Sequence, residues 1–147
     1  ELAASPPPVS SFIPEAHFVS LMLAIYDTHF GGSDDAAYLE WVYQRNRLLL
    51  QKPLYRVLFM VASPERLLRG AASRWSAFRK GTSIELVEEK HRWAAFVVRY
   101  PPHLYADLVL ASMGSALRAA ATAAGAQQAR SSVEPGPVSC RVILEWD

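Results

Sequence analysis

The stretch "SPERLLRGAASRWSAFRKGTSIEL", residues 63–86, changes its hydrophobic period part-way along, and that change decides the fold class. Leu67, Leu68, Ala71, Trp75 and Phe78 recur at the three- and four-residue steps of one helix face. Ser63 is placed to cap that helix. Pro64 takes a first-turn position where its missing N–H costs nothing, and Glu65 faces the positive helix end. A helix is therefore predicted over 64–80, stopped by Gly81. Beyond it, "TSIELVEE" alternates every second residue, the period of a strand.

Working outward, "IPEAHFVSLMLAIYDTHFGG" reads as a first helix from about 14 to 30, with Pro14 at its start and Gly31-Gly32 past its end. Ser33 is the expected cap of a second helix, with Asp34 and Asp35 against its positive end and Tyr38, Trp41, Val42, Arg45, Leu48 and Leu49 at helical spacing. "KPLYRVLFMVA", residues 52–62, is read as a short third helix. Downstream of Gly81, "TSIELVEE" and "RWAAFVVRY" form a hairpin around Lys90-His91, ended by Pro101-Pro102. A long helix is expected over 103–124, where Ala106, Leu110, Met113, Leu117, Ala120 and Ala124 share a face. "QQARSSV" and the final strand follow across the turn "EPGP". In that strand Val138, Cys140, Val142, Leu144 and Trp146 lie on one side. The predicted class is α+β: about four N-terminal helices, then a β-β-α-β-β, mostly antiparallel sheet with one long helix packed on it.

The composition fits one folded domain. The 147 residues are 51% hydrophobic and 11% aromatic, too apolar for a disordered chain, and the 20% charged residues are ordinary for a globular one. Residues 1–12, which include "ASPPPVSS", are read as a linker and residues 13–147 as a single domain, one module of a larger chain. No apolar run reaches the ~18 residues that span a bilayer, and a cytoplasmic location is expected. One cysteine, Cys140, leaves no internal disulfide or cysteine-built zinc site to form, and its place on the apolar face of the last strand reads as a buried, inert thiol.

"SPERLLR" with Trp75 and Gly81 downstream, "YPPHLYADLVLASMGSALRAAATAAGA" and the terminal "CRVILEW" together resemble a family of uncharacterised domains present in many copies in myxobacteria. The resemblance covers about Pro14 to Asp147. The ending is also similar to that of 4-vinyl-reductase and heme-nitric-oxide-binding-related sensory domains. It implies sensing or regulation in a bacterial signalling or cell-organisation pathway.

Catalytic signatures are weak. His17, His29, His91 and His103 include no pair at the spacing of metal ligands on one helix turn, and neither a phosphate loop nor a nucleophile elbow is present, so no cofactor, metal or catalytic residue is predicted. Charge is more telling than motif. Residues 1–44 sum to −6 and residues 45–80 to +8, within a net charge of +1. Either the acidic first helices neutralise the basic segment, or Arg66, Arg69, Arg74, Arg79 and Lys80 form a surface for an acidic protein partner. Weak nucleic-acid binding through the basic segment 45–80 ranks third, below both a protein partner and an apolar ligand, since no recognition motif accompanies the charge. The primary expectation is a non-catalytic regulatory or scaffold domain working through protein contacts. An alternative is a sensory domain holding an apolar ligand in a cavity lined by Trp41, Phe59, Trp75, Phe96 and Tyr100. The small residues Ala111, Gly114, Ser115 and 119–121 of the 103–124 helix suit close packing onto the sheet, with the approach of a second copy to form a homodimer as the alternative.

Overall fold

The computed structural model of the chain describes residues 13–53 and 63–147. Helix α1 (Glu15–Phe30) is followed by α2 (Asp35–Leu50), α3 (Pro64–Phe78), strands β1 (Ser83–Lys90) and β2 (Trp93–Arg99), helix α4 (Asp107–Ala123), and strands β3 (Arg130–Glu134) and β4 (Ser139–Glu145). The domain is α+β with a four-stranded antiparallel sheet in the order β1-β2-β4-β3. Three helices, not four, precede the sheet among the described residues, because nearly all of the expected 52–62 helix lies outside them.

Local chemistry sets most boundaries. Gly31 and Gly32 take φ of 63° and 64°, a left-handed geometry that ends α1. Asp34, not Ser33, caps α2: its carboxylate accepts from the Ala37 N–H at 3.0 Å. Ser63 caps α3, accepting from the Arg66 N–H at 3.4 Å. Helix α4 begins at Asp107 rather than 103, since His103 sits at φ 61° in the preceding loop.

The sheet register differs from simple alternation in one place. Ile84 and Leu86 pair with Val98 and Phe96, but Glu88 then pairs with Ala95, leaving Val87 as an extra residue in a bulge. The bulge moves Glu89 onto the helix-covered side, opposite buried Ala94, and turns Glu88 to the other side. There Glu88 reaches across β2 to Arg141 of β4 at 3.3 Å. Ala95 lies opposite Glu88 and is fully covered.

The core forms between the sheet and the two helices that cover it, α3 over β1 and α4 over β3 and β4. Phe96, Val98, Leu110, Val142 and Leu144 are all but inaccessible, joined by Leu68, Met113, Cys140 and Trp146. The final strand buries the expected face, Cys140, Val142, Leu144 and Trp146, although Val138 before it is 48% exposed. Helix α4 is also covered on its other side by α2, where Tyr43 and Thr122 hydroxyls meet at 3.3 Å and the Arg118 guanidinium sits 3.7 Å from the Tyr43 ring centre. No residue from Leu108 to Ala124 is fully exposed. The small residues of the 103–124 helix thus pack against β3 and α2 within the chain.

Gly114 marks the tightest of these contacts. A Cβ there would sit 2.8 Å from Val133 Cγ2 and 3.3 Å from Ser131 Oγ on β3, whereas a Cβ at Gly70 of α3 would meet nothing within 4 Å. Glycine to alanine should therefore have opposite signs at the two helix positions. In chemical denaturation, Gly114→Ala is expected to destabilise by about 1–2 kcal/mol through overpacking, and Gly70→Ala to stabilise by about 0.5–1 kcal/mol through helix propensity. Equal shifts at both positions would refute the close α4–β3 approach.

Candidate functional site

The five basic residues of 63–80 do not share one environment. Arg69 donates from Nε and Nη2 to the two Glu89 oxygens at 2.8 and 2.7 Å, a bidentate pair that the β1 bulge makes available. Hydrogen bonding from Arg69 holds the Glu89 carboxyl below its usual range. The Arg69 side chain remains 60% exposed, so the pair fixes geometry more than it adds stability.

Arg79 behaves differently. It has left the helix, with φ −132° and ψ 136°, and its Nη1 donates to Glu15 Oε1 on α1. The Tyr105 hydroxyl donates to the same oxygen at 2.8 Å. The guanidinium lies 4.9 Å from the Phe18 ring centre and 5.3 Å from that of Trp75, whose Nε1 donates to Thr82 Oγ1 at 3.0 Å. Burial, and then the Glu15 hydrogen bond, push the Tyr105 phenol up. Tyr105 meets Tyr100 edge-on at 5.0 Å, and the Tyr100 hydroxyl donates to the Gly136 carbonyl at 2.6 Å. One half-buried cluster therefore ties α1 to the end of α3, to the loop before α4 and to the β3–β4 turn.

Arg66 and Arg74 are exposed on α3 and form no ion pair among the described residues; Lys80 is exposed beyond the helix end. The acids of the first helices do not blanket this face. Glu15 is committed to Arg79. Glu40 pairs with Arg118 of α4 at 3.5 Å, and Asp35 accepts from the Tyr26 hydroxyl, which this bond pushes up to about 12. Of the acids in residues 1–44, only Glu15 pairs with an arginine of residues 63–80 among the described residues.

The aromatic set expected to line a cavity is divided. Phe96 and Tyr100 are buried in the main core, with Trp75 packed against it. Trp41 stands apart in a group between α1 and α2, 6.0 Å from Phe30 and 6.1 Å from Tyr38, with Arg45 5.6 Å over its ring. Phe59 lies outside the described residues. Among the described residues no three His, Cys, Asp or Glu side chains converge as metal ligands, and no helix is long and apolar enough to cross a membrane. Glu15, Tyr105 and Glu89 were not singled out by sequence. Glu15 carries only the generic signal of an acid in a helix first turn, and nothing local points from it to Arg79, 64 residues away.

The Glu15 cluster anchors the first turn of α1, whose single buried residue is Val19, while Tyr26 and Phe30 pack its far end against α2. Tyr105→Phe is expected to cost about 1 kcal/mol and Glu15→Ala about 2 kcal/mol, by stranding the half-buried Arg79. Amide exchange should quicken across α1 and not in α4; unchanged α1 protection in Glu15→Ala would show that the helix docks by other means. Cys140 gives a pH signature. Burial raises its thiol from an ordinary 9.0 to about 11, so the unfolded chain loses the proton first. The stability gained by keeping the thiol neutral is whole below about pH 9 and is lost as the pH rises towards 11. Urea midpoints from pH 8 to 10.5 should fall more steeply for the wild type than for Cys140→Ala, and parallel curves would contradict the buried thiol.

No family model, curated protein or solved structure matches the chain.

Proposed function

We propose that the domain is a non-catalytic regulatory module that binds an acidic protein surface through the solvent face of α3. The observation that carries this reading is that Arg66 and Arg74 are exposed on α3 with no ion-pair partner among the described residues, while Arg69 and Arg79 are held by Glu89 and Glu15. Gly70 and Ser73 lie between them with little side-chain bulk, and space beside Gly70 is open. A partner can approach this helix closely and meet guanidinium groups on either side. Arg69, on the same helix, is anchored by Glu89. The resemblance to multi-copy myxobacterial domains supports a place in bacterial signalling or cell organisation. The buried Cys140 thiol, held protonated, supports a role without chemistry at that residue.

The discriminating variant is Arg66→Glu with Arg74→Glu, because neither arginine has an ion-pair partner to lose among the described residues. Its melting should stay within about 0.5 kcal/mol of the wild type, as exposed substitutions do. Quantitative affinity capture from host extract should lose the proteins that the wild type retains, and wild-type capture should weaken as salt rises. Undiminished capture by the folded double variant would sink the α3 surface. Capture dominated by nuclease-sensitive material would assign the same arginines to nucleic acid instead.

A further inference from the structure

The two edges of the sheet are built differently. At one edge, β1 carries the Val87 bulge and a run of charged side chains, features that hinder the addition of another strand. At the other, β3 is unbulged, in continuous register with β4 from Arg130–Glu145 to Glu134–Arg141. Among the described residues no other strand pairs with β3. Its inner side, Ser131 and Val133, is held against α4 at the Gly114 contact, which fixes the strand in place.

The sequence of β3, Arg-Ser-Ser-Val-Glu, is self-complementary in charge. Arg130, Ser132 and Glu134 are all exposed and share the side away from α4. Two of them, Arg130 and Glu134, are the charged ends of the strand. Glu145 and Arg141 stand opposite them in register, but neither Arg130 nor Glu134 forms an ion pair among the described residues, and Arg141 is engaged by Glu88. An antiparallel copy of the same strand, centred on Ser132, sets Arg130 against Glu134 of the second copy and Glu134 against its Arg130. Opposite charges directly across an antiparallel pair are favourable and like charges are not. The ladder is limited to these five residues. Gln128 leaves extended geometry at φ 46°, and Pro135 has no N–H to give.

We propose that β3 is a self-pairing edge through which two copies of the chain form one continuous eight-stranded sheet, with Ser132 on the two-fold axis. The contact is small, and the dimer is of the weak, concentration-dependent class. It lies at the opposite side of the sheet from α3, which covers β1, so it does not rest on the α3 partner surface and does not compete with it.

Sedimentation velocity from about 10 µM to 1 mM at low salt tests the proposal on the whole chain, over a range suited to a contact of this small class. The wild type should shift from monomer to dimer across this range. Arg130→Glu sets two pairs of carboxylates face to face, and Glu134→Arg two pairs of guanidinium groups. Each variant alone should weaken the dimer at least about tenfold, equivalent to one or two lost cross-strand pairs per interface. Mixed in equal amounts, the two variants form complementary pairs at both positions and should associate like the wild type. The double reversal Arg130→Glu with Glu134→Arg should also self-associate, and it covers the case in which a single variant does not fold. A wild type that stays monomeric throughout overturns the proposal. So does a dimer indifferent to both single reversals, or a mixture and double reversal no tighter than the single variants.

Discussion

Helix α4 has a neighbour on nearly every side: the sheet beneath it, α2 above it and α3 beside it. That position demands small side chains, because a helix approaching a strand closely enough to exclude water leaves no room for a branched residue at the contact. Gly114, Ala119 and Ala121 meet the demand, and Ser112 and Ser115 are buried with them. The Ser112 hydroxyl donates to the Val109 carbonyl at 2.7 Å, so a polar group is taken into the packing without being left unpaired. Once α4 is seated, the positions of β3 below it and of α2 above it follow.

The class of the fold was legible because its signals are local. The switch of period at Gly81 and the Ser63-Pro64 start of α3 each depend on a few adjacent residues, as does the alternation from Cys140 to Trp146, and all of these hold in the structure. The features that escaped depend on the partner across space. Alternation alone carries the inward face of β1 to Glu88 and Lys90. The bulge at Val87 puts Glu89 there instead, where it meets Arg69. Ser33 and Asp34 are equally good caps by type, and the backbone leaving Gly32 selects the second. The small-residue stripe of α4 reads the same whether the neighbour is another subunit or β3. In this chain β3 and α2 supply the neighbours.

The division of charge between the first two helices and the segment after them was also legible, but its resolution was not. Neutralisation is selective. Glu15 takes Arg79, Glu40 takes Arg118, and the sheet, not the acidic helices, supplies the acid for Arg69. Arg79 is the most specialised of these cations. A planar guanidinium lies near two aromatic rings and donates to a carboxylate, a combination that a lysine ammonium does not reproduce. Arg66 and Arg74, a few residues away on the same helix, carry the same charge with none of this surrounding structure.

The bulge in β1 also bears on how far any assembly of this domain can grow. A sheet with two receptive edges accepts a neighbour at each end, and every addition exposes a fresh edge, which is the route to open-ended filaments. Here one extra residue, Val87, twists one margin out of register, while the charged side chains around it oppose close approach. Only the β3 margin remains regular. With a single receptive side, strand addition consumes its own site, and the product is finite and closed whatever the concentration.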